Sequence, residues 1–113
     1  MARKNVLTTS PPYQVEQALK RLGANLRTAR LRRNLTIEDV AEKIGTSRHA
    51  VIAAEKGKPS TSTAVYIALL WTYDLLGPME ALADPASDEE GLALSAHRER
   101  ARAKKPGELD SDF

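Results

Sequence analysis

The residues whose types and spacing suit chemistry best are Ser47, Arg48 and His49, which follow Gly45 and Thr46 directly. A hydroxyl residue after a glycine turn caps a new helix, and the residues behind it stand where unpaired backbone N–H groups and the positive end of the helix dipole face solvent. Short polar groups and a guanidinium at such an end bind oxygen acceptors, phosphates and base edges among them. Bond-making chemistry would need something else: a nucleophile with its base, paired carboxylates in a cleft, a metal site or a phosphate-cradling glycine loop. None of these patterns occurs, so no enzyme activity and no cofactor is expected. Cysteine is absent, and of the two histidines His97 has no carboxylate or thiol neighbours at ligand spacing, which leaves no expected metal site.

The elements that position these residues are helices. After a leader over residues 1–12, rich in hydroxyl residues and closed by Pro11 and Pro12, the leader being expected as a flexible arm, Val15, Leu19, Leu22, Leu26, Ala29 and Leu31 recur at helical spacing. They predict one long helix that starts at Tyr13 and ends near Asn34. Thr36 with Asp39 resembles a capping box for a second, short helix that buries Ile37, Val40, Ala41 and Ile44. Gly45 supplies the turn, Ser47 caps the third helix, and Ala50, Val51 and Ala54 face inward until Gly57. A fourth helix is predicted from about Ser62 to Leu76. Its apolar residues cover most of its circumference, so a second covered side, a subunit interface built on Tyr66, Leu69, Leu70, Tyr73 and Leu76, is expected. Gly77 and Pro78 open a short fifth helix with Met79, Leu82 and Ala83, closed by Asp84 and Pro85. Ser87 and Glu90 suggest a capping box for a last helical stretch to about Lys104. The organisation expected is an arm (1–12), an all-α domain of five helices (13–85) and a C-terminal extension (86–113), partly helical or disordered.

Charge is divided along the chain. Residues 1–60 carry 12 basic and 5 acidic side chains, residues 61–113 carry 5 and 10, and the net charge is +2. A basic front half suits a polyanionic partner, since neutralising phosphates releases counterions, although solvated helical proteins are often as lopsided. The longest apolar run, Ala64 to Trp71, is far below the roughly 20 residues of a membrane span, and no signal-type stretch follows the polar start. A soluble cytoplasmic protein is the expectation.

Two short helices about a glycine-centred turn form a helix-turn-helix pattern, whose second member enters the major groove of DNA. The stretch from Leu26 to Gly57, LRTARLRRNLTIEDVAEKIGTSRHAVIAAEKG, resembles the XRE or Cro-type, lambda-repressor-like family. The resemblance runs over about residues 15–83 and rests on Arg30, Leu35-Thr36, Val40-Ala41, Gly45, Ser47, Val51 and Glu55-x-Gly57. It implies a sequence-specific repressor of inverted-repeat operators, and a structural ion pair between Arg30 and Glu55. It further implies base-facing roles for Arg48, His49 and Ala53, with Ile52 beside them and Ser47, Lys58 and Thr36 at the DNA interface. Two readings stay open for Arg48, guanine readout or phosphate contact, and two for His49, a purine contact or a solvated surface histidine. Ile37 stands where the family usually has a phosphate-contacting glutamine, and apolar Ile52 and Ala53 stand where polar readers are common, so direct readout is expected to be sparse.

Leu69 to Arg102 is similar to small antitoxins of the HipB type, through Leu75-Leu76, Glu80 to Pro85, Asp88 and Gly91 to Leu94. That similarity implies the antitoxin of a type II toxin-antitoxin pair, dimeric, repressing its own operon and binding a HipA-type kinase toxin. A free-standing phage-like repressor and a pure protein adaptor are the alternatives. Phe113, preceded by Asp110 and Asp112, reads either as a docking peptide for a partner groove or as part of a solvated tail. Arg98, Arg100 and Arg102 with Lys104 and Lys105 read as an outer phosphate contact or as a soluble helix face.

Overall fold

The computed structural model describes residues 5–103, and every regular element among them is helical. In chain order these are α1 (Val6–Thr9), α2 (Tyr13–Arg32), α3 (Ile37–Ile44), α4 (Arg48–Glu55), α5 (Thr63–Thr72), two 3-10 turns (Gly77–Ala81 and Pro85–Ser87) and α6 (Glu89–Ala103). The protein is therefore all-α. Its contacts divide it into two compact units, the first ending at Gly77.

The first unit owes its helix ends to one device used four times. Asn34, Gly45, Gly57 and Asp74 all adopt left-handed backbone, with φ of 56°, 78°, 68° and 59°. At each, the next N–H reaches back to a carbonyl of the last turn: Leu35 to Arg30, Thr46 to Ala41, Lys58 to Ala53 and Leu75 to Leu70, at 2.8–3.2 Å. This satisfies carbonyls the helix itself leaves open and turns the chain sharply. Helix starts are fixed as firmly. The Thr36 hydroxyl accepts from the Asp39 N–H while the Asp39 carboxylate accepts from the Thr36 N–H, both at 3.0 Å. Ser47 and Ser62 accept from the N–H groups of Ala50 and Ala64.

These ends bring α2, α3, α4 and α5 around one core of Leu26, Ala29, Val40, Ala41, Val51, Ala54, Tyr66, Leu69 and Tyr73. Small residues at 29, 41 and 54 let helix axes approach closely, and the large side chains of Leu26, Leu69 and Tyr73 fill the space between them. Arg33 closes the bottom of the unit: its guanidinium donates to the carbonyls of Ala29 and Tyr73, both at 2.9 Å, and lies 5.5 Å from the centre of the Tyr73 ring. The Tyr66 hydroxyl donates to the Lys58 carbonyl at 3.1 Å and ties α5 to the loop behind α4.

Four expectations need correction. The leader holds one turn of helix, α1, because Asn5 caps it and the hydroxyls of Thr8 and Thr9 bond backward to its carbonyls. Helix α5 ends at Thr72 rather than Leu76, because Asp74 takes the left-handed conformation that stops it. The fifth helix is a five-residue 3-10 turn ended by Ala83 at φ 58°. The cap of α6 is Asp88 rather than Ser87: its carboxylate accepts from the Gly91 N–H at 3.0 Å.

The interface residues also move. Tyr66, Leu69 and Tyr73 are buried within this chain, and Leu70 and Leu76 are half-buried, so the first three cannot meet another subunit. An apolar helix gives no phase from its sequence; the chain settles it by turning positions 66, 69 and 73 inward. The face left outward carries Ala64, Ile67, Ala68 and Trp71, the last 57% exposed, and Leu75, 43% exposed, follows beyond the helix end.

In the second unit, α6 buries none of its residues, and Arg98, Arg100 and Arg102 are exposed. Lys104, Lys105 and Phe113 lie outside the described residues. No helix among the described residues is long and apolar enough to cross a membrane.

Candidate nucleic-acid interface

Helices α3 and α4 pack on one another across the turn Gly45-Thr46-Ser47. The buried side chains of Val40, Ala41, Val51 and Ala54 set their angle, with Ile37 and Ile44 at the edge of the core. This burial decides what is left outside. Ser47, Arg48 and His49, the cap and first residues of α4, are all exposed, while Ala50 is half-buried and Val51 fully buried. Ile52 and Ala53 are half-buried, and Lys58 and Thr36 are exposed. The sequence-derived residues thus fall into an outer group (Thr36, Ser47, Arg48, His49, Lys58) and a partly covered pair whose remaining surface is apolar. The hydroxyls of Thr36 and Ser47 are already engaged as caps, so what they offer a ligand is the ordered amide end of each helix.

Behind the outward turn sits the buried ion pair. Arg30 Nε donates to Glu55 Oε2 at 2.7 Å, Nη2 to Oε1 at 3.1 Å, and Nη1 to the Leu35 carbonyl at 2.9 Å. The two side chains are only 9% and 6% exposed. The hydrogen bond to Glu55 holds the Arg30 guanidinium above its ordinary range, outweighing the opposing effect of burial. A bidentate pair of this kind fixes both distance and orientation, here between the last turn of the long helix and the last residue of α4.

Two residues of the site were not singled out from sequence. Gly23 on α2 lies against the end of α4 so closely that a Cβ there would stand 2.5 Å from the Ala54 carbonyl oxygen and 2.6 Å from that of Glu55. Its only signal was a glycine inside a helical pattern, which costs about 1 kcal/mol relative to alanine and so implies close packing. Glu38, on the first turn of α3, places its carboxylate 3.6 Å from Arg48 Nη1. Their separation in the chain carries no local signal; the angle of the two helices makes the contact.

The capping box carries a pH signature. The backbone N–H of Thr36, then its hydroxyl, holds the Asp39 carboxyl below the ordinary aspartate range. A lowered value in the folded state means stability that is present above the unfolded pKa of about 3.9 and lost as pH falls through the folded value. Denaturant titrations from about pH 5 downward should therefore show an acid-dependent loss in the wild type that is smaller in Asp39→Asn. Equal acid dependence in both would remove the carboxylate from the cap's energetics.

A capped helix, a left-handed glycine turn and a second capped helix with an outward, basic first turn define a DNA-binding helix-turn-helix protein. The chain belongs to the helix-turn-helix domain family, whose match extends over residues 21–83, more than half of its length. No curated protein and no solved structure matches it.

Proposed function

We propose that this protein is a non-enzymatic, sequence-specific transcriptional repressor of the XRE type that binds an inverted-repeat operator as a homodimer. The observation that carries the reading is the exposure of Ser47, Arg48 and His49 on a helix whose other end is gripped by Arg30 and Glu55. In this reading the first turn of α4 enters the major groove, Arg48 bonds a guanine edge, and Thr36 and Lys58 lie by the flanking phosphates. The outward stripe of α5, centred on Trp71, joins the two copies. Its support is an apolar helix with one covered side, edged by Lys43, whose ammonium lies 5.4 Å from the Trp71 ring centre. Two-fold pairing places half-sites about 34 Å apart, one turn of DNA.

The antitoxin reading extends this one and rests on the resemblance of residues 69–102 to HipB-type proteins. It makes the chain the autoregulating partner of a HipA-type kinase encoded beside it. A stable complex between the two co-expressed proteins supports it, and their separate elution in size-exclusion chromatography overturns it in favour of a free-standing repressor.

The repressor reading is tested by selecting bound sequences from a randomised duplex library with the full chain, then titrating the enriched duplex. Arg48→Ala should weaken that duplex by about 1–3 kcal/mol per half-site, with an unchanged melting temperature, and sedimentation should give two chains per duplex. Enrichment of no sequence, or unaltered affinity in the variant, would refute sequence-specific reading through α4.

A further inference from the structure

Building on that reading, we infer that Glu38 is a specificity-determining positioning residue, whose carboxylate holds Arg48 for base reading and discourages its use as a general phosphate clamp. The contact is between Glu38 Oε1 and Arg48 Nη1 at 3.6 Å, with side chains 71% and 61% exposed. An ion pair this exposed contributes little to folding. Its effect falls on whatever approaches the arginine.

The geometry separates two kinds of ligand. A guanidinium has five N–H donors in a planar fork, and the carboxylate of Glu38 stands on its Nη1 side, a charge contact at 3.6 Å rather than a hydrogen bond. The Nε and Nη2 edge remains, the same edge that Arg30 gives to Glu55 in a bidentate pair. That edge matches the adjacent O6 and N7 acceptors of guanine. A phosphate asks less for geometry than for net positive charge, and here that charge is partly offset by the carboxylate 3.6 Å away. Glu38 is not alone in this: Asp39 on the same turn is exposed and negative, while Arg48 is the only cation among residues 44–55. The anionic first turn of α3 beside the reading turn therefore penalises close approach of any backbone that brings no guanine to compensate. A basic residue that would otherwise add to non-specific affinity is turned into a discriminating one.

Glu38→Gln keeps the side-chain shape and removes the charge. Full-length wild type, Glu38→Gln and Arg48→Ala are compared on the duplex enriched from the randomised library and on a duplex of scrambled sequence, across a salt series. In Glu38→Gln the scrambled duplex should bind about fivefold tighter, the size of one unscreened contact between unit charges in water. The salt dependence should steepen by about 0.9 in log–log slope per protomer as Arg48 takes a phosphate. Library selection should show the guanine preference at the Arg48 position reduced about 3- to 10-fold, part of the worth of a bidentate contact. The melting temperature should not change, which separates positioning from a structural role. Wild-type slope and preference in Glu38→Gln, while Arg48→Ala loses the guanine, would overturn the inference and leave the repressor reading intact. Enrichment of nothing by the wild type would overturn both.

Discussion

Glu55→Ala should destabilise the protein by about 3–5 kcal/mol in chemical denaturation, because it leaves the buried Arg30 guanidinium with only the Leu35 carbonyl as a partner. That is a large part of the roughly 5–15 kcal/mol that hold a domain of ordinary stability together. Exposed ion pairs do not behave this way; the effect depends on the burial of both groups and on the bidentate geometry. The double variant Arg30→Met with Glu55→Leu provides the decisive comparison. It removes both charges while keeping volume, so most of the lost stability should return. If the double variant is as unstable as Glu55→Ala, packing rather than charge explains the pair. On the proposed reading, DNA binding should follow stability in the single variant, since Glu55 ends α4 and its tether to α2 holds the helix that begins with Arg48.

Gly23→Ala should be of comparable severity, by a different route. The added methyl meets the carbonyl oxygens of Ala54 and Glu55 and the amide nitrogen of Gly57, all of them backbone, at 2.5–2.7 Å. No rotamer change can relieve such a contact, so α2 and the end of α4 must part. Overpacking of well-packed contacts costs about 1–3 kcal/mol, occasionally more, and here the gain of alanine over glycine in helix propensity, about 1 kcal/mol, works in the opposite direction. A net loss of about 2 kcal/mol or more by urea titration is expected, together with a shift in the amide resonances of residues 54–57. Unchanged or raised stability would mean that the two helices do not touch at this point in solution.

How much of this was legible in the sequence follows from the range of the signals. Local chemistry reads well: the hydroxyl caps at Thr36 and Ser47 and the turns at Asn34, Gly45 and Gly57 are written in residue types whose backbone preferences act within four or five positions. Asp74 is the exception that shortens α5, since aspartate at a left-handed position is allowed but seldom decisive. The resemblance of residues 26–57 to a known repressor family supplied the Arg30 and Glu55 pairing, which spacing alone could not. Phase was illegible wherever a helix is apolar all round. Tyr66, Leu69 and Tyr73 are as apolar as Ile67 and Trp71, and only the three-dimensional placement of α3 and α4 decides which set turns inward. Contacts between separate helices at exposed positions, such as Glu38 with Arg48, leave no trace in composition or periodicity.

The two attachments to α2 both act at the far end of α4: Gly23 lies against Ala54, Glu55 and Gly57, and Arg30 grips Glu55. Helix α4 is thus mounted like a cantilever, rooted at its C-terminal end and exposed at its tip. Exchange of the exposed Arg48 or His49 for other side chains then alters the tip with little effect on the root. On the proposed reading, such a layout lets recognition change at the tip, at Arg48 or His49 together with Glu38 beside it, while the root stays as it is.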